Sequence, residues 1–166
     1  HVEKMKQEKH IQTERHVLST IHHPFVCNLV TTYKNLHSVY FLMEAVMGGE
    51  LYNQLKKVEK FSPAQARMYS AQVVLVFEHL HMHDIIFRDL KPENLLIDTC
   101  GYLKVVDFGL AKQVLSGKTY TLCGTPAYAS PEVYASAGHD KGVDWWTLGV
   151  LIHELLAGYT PFYGKE

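Results

Sequence analysis

The sequence has few cysteines, and neither sign of charge is in clear excess. Its three cysteines, Cys27, Cys100 and Cys123, are odd in number and widely spaced. This spacing disfavours a disulfide framework or a cysteine-based zinc site, and it favours free thiols in a reducing compartment. The formal net charge of the 166 residues is −1, which indicates no basic surface for nucleic acid or for an anionic membrane. We therefore expect no nucleic-acid partner.

Long hydrophobic runs are also missing. The longest apolar-rich run, residues 143–157, is too short to span a bilayer and contains Asp144, His153 and Glu154. No stretch has the features of a signal peptide. We expect no membrane span and a cytoplasmic location, with the nucleus as the alternative. The eleven histidines are expected to be scattered surface and packing residues and not metal ligands.

What is present is ordinary globular composition, with 47% hydrophobic and 20% charged residues, enough for one substantial core and a second lobe. Residues 3–19 predict an amphipathic helix whose apolar stripe contains Ile11, Val17, Leu18 and Ile21. Two β-rich runs within 22–33 and 39–46 predict strands joined by a polar turn at Asn35. A short helix is predicted after Gly48 and Gly49.

The second half of the chain is predicted to be mostly helical. A long helix should begin at Pro63, because Ser62 and Gln65 form a capping-box pattern, and continue to about His83. Residues 95–98 and 102–106 predict two short strands. Residues 107–132 have no clean period and predict a long ordered loop, which is usually functional. Residues 142–157 are apolar nearly all round and predict a buried helix that ends at Gly158.

The stretch "FRDLKPEN", residues 87–94, holds far more chemistry than a turn requires. Phosphoryl transfer needs a carboxylate to accept the proton of the acceptor hydroxyl, for which Asp89 is available, and a nearby cation, which Lys91 supplies. Asn94 and Asp107, from adjacent strands, offer the oxygen ligands that Mg²⁺ prefers. The spacing therefore predicts a magnesium–nucleotide phosphotransfer site.

Four further runs, "RDLKPENLLID", "DFGLAK", "GTPAYASPE" and "VDWWTLGVLIHELLAG", resemble the catalytic core of eukaryotic protein kinases. The run "TYTLCGTP", together with Phe87, resembles the AGC branch, nearest the cyclic-nucleotide-dependent kinases. The resemblance implies an α+β, two-lobed protein-kinase fold that is truncated. Residues 1–44 would form a partial N-lobe of helix C and strands. Residues 45–166 would form the hinge and a partial, helical C-lobe ending after the long buried helix.

The resemblance also implies roles for single residues. Asp89 would be the catalytic base, Lys91 the phosphate contact, and Thr125 would brace both. Glu14 would supply the acid of a lysine salt bridge. Magnesium would be held by Asn94 and Asp107, and the nucleotide site for ATP would include Met43, Glu44, Val46, Glu50, Leu96 and Asp107.

Regulation and specificity follow from the same resemblance. Thr121 would be the activation-loop phosphorylation site, with His10, Arg88 and Lys112 as its cationic partners and Thr119 as its competitor. The target would be Ser or Thr in peptides with upstream arginines, read by Glu50, Glu93 and Glu154, with Leu122 and Pro126 shaping the pocket for the next residue. A cyclic-nucleotide-binding regulatory subunit or domain would be a partner.

The kinase pattern is incomplete. The glycine-rich nucleotide loop and the lysine that pairs with Glu14 are expected upstream of His1, so the chain should be cut at both ends and show little or no activity alone. Ala127, Ala129 and Ser130 also depart from the pattern. Two hypotheses stay open: part of an active Ser/Thr kinase, and a non-catalytic, kinase-like scaffold that binds partners through residues 107–132.

Overall fold

The computed structural model describes residues 2–115 and 117–162. Its helices are α1 (Val2–Thr20), α2 (Leu51–Val58), α3 (Pro63–Met82), α4 (Pro131–Tyr134) and α5 (Gly142–Ala157). Its strands are β1 (Leu29–Lys34), β2 (Val39–Met43), β3 (Ile85–Ile86), β4 (Leu95–Ile97), β5 (Leu103–Val105) and β6 (Lys112–Gln113). Short 3-10 turns cover Pro92–Asn94 and Pro126–Tyr128. The predicted α+β class and the order of the longer elements are confirmed.

Local signals account for the ends of the helices. The Ser62 hydroxyl accepts a hydrogen bond from Gln65 N at 3.3 Å, and the Gln65 side chain accepts one from Ser62 N at 3.1 Å, so the predicted capping box is confirmed. Helix α5 ends at Gly158, whose φ of 87° is the left-handed conformation that glycine adopts without strain. The start of α3 and the end of α5 are therefore determined by residues close by in the sequence.

The strands form three antiparallel pairs: β1 with β2, β3 with β6, and β4 with β5. The turn between β1 and β2 is closed by Asn35 Oδ1, which accepts hydrogen bonds from His37 N at 2.8 Å and Ser38 N at 2.7 Å. The pair β4–β5 aligns Leu95 with Val105. It thereby places the residue that precedes β4, Asn94, beside the residues that follow β5.

Residues 107–132, predicted to form one long ordered loop, include short regular elements. They contain β6, a 3-10 turn and the start of α4, and β6 pairs with β3 through Ile86 and Lys112. Strands of two residues have no hydrophobic period, so the sequence could not reveal them. Their pairing ties the start of this segment to the end of α3.

The core lies between α3, α5 and the C-terminal end of α1. Val17, Leu18 and Ile21 are at most 2% exposed, but Ile11 is 40% exposed, so its predicted place on the buried stripe is wrong. Trp145 and Leu156 of α5 are also exposed, at 42% and 40%, and the prediction of burial on all sides holds only in part. Trp145 is nevertheless in edge-to-face contact with Phe77 and His81 of α3, at ring-centroid distances of 5.7 Å and 5.4 Å.

Asp144, on α5, is fully buried, and its carboxylate binds the first residues of the stretch 87–94. Its carboxylate accepts hydrogen bonds from Phe87 N and Arg88 N, both at 2.9 Å. His81 Nε2 lies 2.7 Å from the same carboxylate, a contact that was not predicted. These partners offset the cost of burying the charge. They also hold Arg88 in a left-handed conformation with φ of 69°.

In residues 2–115 and 117–162, no helix combines the length and the apolar character needed to cross a membrane. In the same ranges, no group of three or more histidine, cysteine, aspartate or glutamate side chains is arranged to hold a metal ion.

We expect Asp144→Asn to lower the free energy of unfolding by about 3 kcal/mol, because the amide nitrogen would face a backbone N–H group that needs an acceptor. Urea unfolding followed by circular dichroism would measure the change. Asp84→Asn is the matched control. The half-exposed Asp84 pairs with Lys141 at 2.7 Å, and such pairs contribute only about 0–1 kcal/mol. Equal losses in the two variants would contradict the role given to Asp144.

Candidate active site

Asp89 is the centre of a closed hydrogen-bonded cluster. It is 6% exposed. Lys91 Nζ donates to its Oδ2 at 2.9 Å, and Thr125 Oγ1 donates to its Oδ1 at 2.8 Å. Lys91 also donates to Thr125 at 3.2 Å, while Asn94 Nδ2 donates to the Asp89 backbone oxygen at 2.8 Å and to Oδ2 at 3.0 Å. Both carboxylate oxygens are therefore oriented by charged or polar neighbours.

Thr125 reaches Asp89 from a distant part of the chain because Gly124 lets two backbone segments approach closely. Gly124 has a φ of 99°, and a Cβ at this position would lie 2.8 Å from the carbonyl oxygen of Arg88. A larger residue would be strained and would push Thr125 away from Asp89. The glycine was visible in the sequence, but its contact partner was not.

Asn94 and Asp107 meet at the end of the β4–β5 pair, where Val106 N donates to Asn94 O at 3.0 Å. Asn94 uses its amide nitrogen on Asp89, so its amide oxygen lies on the opposite edge of the side chain. Asp107 is exposed, with a φ of 63°. One amide oxygen and one exposed carboxylate are a donor set that fits Mg²⁺, which takes few ligands from proteins and completes its shell with water and phosphate.

Glu14, on α1, lies beside this pair. A Cβ added at Gly109 would be 3.1 Å from Asp107 Oδ1 and 3.9 Å from Glu14 Oε2. Burial raises the pKa of the Glu14 carboxyl, and the charge of Asp107 raises it further. Within the described part of the chain, no lysine or arginine forms an ion pair with Glu14. The local field around these carboxylates therefore favours a cation.

The chain just after Met43, Glu44 and Val46, the residues that the resemblance places in the hinge, is hydrogen-bonded to β4. Gly48 N donates to Ile97 O and Ile97 N donates to Gly49 O, both at 2.8 Å. A Cβ at Gly48 would lie 2.4 Å from Ile97 O, so only glycine permits this approach. Leu96 of the same strand is half-buried and forms a bridge with Glu50.

The hinge residues have different surroundings. Met43 is half-buried and packs against the core. Glu44 donates its N–H to Asn28 O at 3.0 Å, and its carboxylate pairs with Lys104 at 2.7 Å, an ion pair that was not predicted. Val46 is half-buried, and its peptide groups form no backbone hydrogen bond with other described residues. Those peptide groups are therefore open to an external partner.

Two of the three acids predicted to read arginine lie close together. Burial raises the pKa of Glu154, and the charge of Glu93 raises it further, although Lys56 acts in the opposite direction. Tyr128 donates a hydrogen bond to Glu154. The third acid, Glu50, accepts a hydrogen bond from Asn53 at 3.3 Å. Leu122 and Pro126, predicted to shape the neighbouring pocket, are both exposed.

The cluster predicted around Thr121 is not assembled. Thr121 is exposed, and no hydrogen bond joins it to His10, Arg88 or Lys112, all of which are described residues. Lys112 Nζ instead donates to Thr119 Oγ1 at 2.7 Å, and Thr119 is 3% exposed. Arg88 donates its Nε to Leu110 O at 2.9 Å, while its Nη1 is buried without a partner. His10 is exposed on α1.

The whole chain, residues 1–166, matches the family model described as protein kinase domain. The chain belongs to the protein kinase family. Its mixed helices and small antiparallel sheets are those of a truncated kinase domain. The cAMP-dependent protein kinase catalytic subunit of Dictyostelium discoideum is 52% identical to this kinase domain over 100% of the chain and 26% of that protein.

Two further relatives were compared with the kinase domain. The cAMP-dependent protein kinase type 3 of Saccharomyces cerevisiae is 49% identical over 98% of the chain and 41% of that protein. The cGMP-dependent protein kinase, isozyme 1, of Drosophila melanogaster is 49% identical over 100% of the chain and 22% of that protein. The kinase domain thus spans less than half the length of each of the three relatives.

For the isolated kinase domain, we expect Glu14→Gln to raise the midpoint of thermal unfolding at pH 7. The raised pKa means that folding favours protonated Glu14, so its contribution to stability is present below the ordinary value of 4.5 and is lost as the pH rises. Because Glu14 is half-buried and water screens the repulsion, we expect a gain of only about 2 °C at pH 7.

Scanning calorimetry from pH 7 downwards would measure this difference, which should shrink as the pH approaches 4.5. The exposed Glu78 on α3 provides the control, Glu78→Gln. A lower unfolding midpoint for Glu14→Gln at pH 7 would show that Glu14 is stabilised by a partner in the domain.

Proposed function

We propose that the complete protein is a Ser/Thr kinase that transfers the γ-phosphoryl group of ATP to peptides with upstream arginines. The observation that carries this proposal is the cluster in which Lys91, Asn94 and Thr125 all contact Asp89. The names of the relatives, cAMP-dependent and cGMP-dependent protein kinases, support the same activity. We also propose that residues 1–44 belong to one lobe and residues 45–166 to the hinge and the other.

Asp89 would act as the base. Its buried carboxylate is fixed by donors on both oxygens, so little reorganisation is needed when it accepts the proton of the acceptor hydroxyl. As the hydroxyl oxygen bonds to the γ-phosphorus and the bond from that phosphorus to the oxygen of the departing ADP breaks, Lys91 would stabilise the negative charge on the phosphoryl oxygens. Thr125 would keep Asp89 and Lys91 in register with each other. The reaction depends on positioning and electrostatics, both of which this cluster provides.

Asn94 Oδ1 and the Asp107 carboxylate would hold Mg²⁺, which neutralises phosphate charge when bound. The field of Glu14 and Asp107 supports a cationic partner here, and we propose that Glu14 pairs with a lysine outside residues 1–166. The carbonyl group of Glu44, whose N–H group donates to Asn28, and the peptide groups of Val46 would bind the adenine, with Met43 and Leu96 packing against the ring. Glu50 would border both the nucleotide and the peptide.

The acids explain the preference for basic peptides. Glu93 raises the pKa of Glu154, so each carboxylate destabilises the charge on the other. A guanidinium group placed between them would relieve this repulsion and donate paired hydrogen bonds to the carboxylates. Glu50 would contribute a third carboxylate. The exposed Leu122 and Pro126 would contact the residue that follows the target Ser or Thr.

Thr121 would be the regulatory phosphorylation site, with Thr119 as its competitor. The buried, unpartnered Nη1 of Arg88 supports an anionic partner that arrives by modification. Lys112, which now donates to Thr119 two residues before Thr121, would then turn to the phosphate, together with His10 of α1. Arg88 adjoins the base and α1 carries Glu14, so one phosphate would align several parts of the site.

Regulation by a cyclic-nucleotide-binding subunit or domain follows from the names of the relatives and from nothing in the contacts of this domain. We propose such a partner, whose cAMP or cGMP specificity is set outside residues 1–166. The location proposed is the cytoplasm, with the nucleus as the alternative.

The activity is tested with Asp89→Asn in the extended protein, for which we expect kcat to fall about 10²- to 10⁴-fold because the amide cannot accept the proton. Asp98→Asn is the matched control, since Asp98 lies in the turn between β4 and β5 and accepts hydrogen bonds from Cys100 N and Tyr102 N. Transfer of labelled phosphate to a basic peptide would be measured. The isolated 166-residue chain should show little or no turnover. No transfer by the extended parent protein would favour the scaffold hypothesis, and transfer that Asp89→Asn leaves unchanged would contradict the role given to Asp89.

The specificity is tested with the double substitution Glu93→Gln and Glu154→Gln. We expect KM for an arginine-containing peptide to rise about 10- to 100-fold, because charge-assisted hydrogen bonds contribute roughly 1.5–3 kcal/mol. KM for a peptide with alanine in place of arginine should change little. Glu78→Gln serves as the control, because Glu78 is exposed on α3. A similar rise in KM for both peptides would contradict arginine recognition by these acids.

A further inference from the structure

Four histidines that are separated in the sequence come together where α1 joins the body of the kinase domain. His22 and His23 follow α1, whereas His79 and His83 lie at the C-terminal end of α3. The ring centroids of His23 and His79 are 5.3 Å apart, and those of His79 and His83 are 4.7 Å apart. His22 is exposed but close enough to influence the charge of His79. We refer to these four residues as the histidine cluster.

Two members of the cluster are built to be neutral. His23 Nδ1 accepts a hydrogen bond from Phe25 N at 3.1 Å, and a proton on that nitrogen would remove the acceptor. His79 Nε2 is buried without a hydrogen-bond partner, so a charge there would have no acceptor to stabilise it. In contrast, His83 Nδ1 is 2.8 Å from the carbonyl oxygen of His79 and can donate to it in either protonation state.

The charged groups around the cluster do not stabilise protonated forms of His23 and His79. Burial lowers the pKa of His23, and His79 and Lys104 lower it further. Burial likewise lowers the pKa of His79, followed by His83 and His22. Lys104, on β5, is already paired with Glu44. Among the described residues, no carboxylate contributes to the pKa of either imidazole.

The position of the cluster links it to the active site. The segment after His23 is tied to β5, because Val105 N donates to Phe25 O at 2.8 Å and Cys27 N donates to Val105 O at 2.9 Å. Strand β5 leads directly to Asp107, and α1 carries Glu14. The contact between His23 and His79 is therefore part of what holds α1 and β5 against α3.

We propose that the histidine cluster is a pH-sensitive joint: as the pH falls below about 6.5, the ordinary titration range of histidine, protonation separates the segment at His22 and His23 from α3 and loosens the attachment of α1. The proposed loss of kinase activity in acid rests on the function proposed above. The loosening of α1 does not.

The direction in which stability changes with pH follows from the difference in proton binding between the folded and the opened state. Because folding lowers the pKa of His23 and His79, the stability that they contribute is present above the ordinary value of 6.5 and is lost as the pH falls through the lower, folded values. The unfolded or opened state takes up the protons first. Each additional proton makes the opening equilibrium about tenfold more favourable per pH unit.

The test uses His79→Phe in the extended protein, since phenylalanine keeps an aromatic ring between His23 and His83 but cannot take up a proton. Amide hydrogen exchange of residues 17–26, corrected for the intrinsic exchange rate, would be followed from pH 7.5 to pH 5.5. In the parent, below pH 6.5, we expect exchange in this segment to become about tenfold faster with each pH unit of acidification, for every proton that opening takes up. In His79→Phe this increase should be about tenfold smaller per pH unit.

His37→Gln is the matched control, because His37 is exposed in the turn between β1 and β2 and should leave the acid response unchanged. His139, a buried histidine elsewhere whose pKa is also lowered, is present in all variants, so its effect cancels. The same acid response in His79→Phe and in the parent would overturn the proposal.

A second measurement needs no variant. In the parent protein, the imidazole protons of His23 and His79, followed by nuclear magnetic resonance, should titrate below the ordinary histidine value of 6.5. Midpoints at or above that value would overturn the proposal even if His79→Phe fails to fold. If the protein proves to have no kinase activity, both measurements still decide whether the joint responds to acid.

Discussion

The carboxylate of Asp144 is the constraint on which the geometry of the site depends. It is fully buried, and it binds the backbone N–H groups of Phe87 and Arg88 as well as His81. These bonds hold Arg88 in a left-handed conformation and turn the chain so that Asp89 faces Lys91 and Thr125. A buried charge is tolerated only when hydrogen-bond donors compensate for the lost water. Here two of those donors are the backbone N–H groups of Phe87 and Arg88.

Around this fixed turn, the site holds carboxylates that are not all balanced. Asp89 is paired with Lys91, but Glu14 and Asp107 raise each other's energy, as do Glu93 and Glu154. Stability would favour neutral residues at these positions. An arrangement that concentrates negative charge next to exposed surface is expected where cations bind. The domain therefore gives up some stability at these positions, which supports the proposed binding of a metal ion and of basic side chains.

The histidine cluster shows a different use of titratable side chains. His23 and His79 pack as neutral aromatic rings, and their contact joins the segment after α1 to α3. Apolar side chains would pack in the same place without dependence on pH. The imidazoles make the contact depend on pH, and this dependence can reach Glu14 and Asp107 because the segment that follows α1 is hydrogen-bonded to β5.

By itself, the sequence determined the order of the longer elements, the capping box at Ser62, the end of α5 at Gly158 and the residues of the Asp89 cluster. These features depend on neighbours within a few residues or on motifs whose chemistry is specific. Only the tertiary structure decided that Ile11 is exposed, that β3 pairs with β6, that Lys112 contacts Thr119 and that four histidines meet. Such contacts depend on how distant segments pack, and neither hydrophobic period nor residue spacing carries that information.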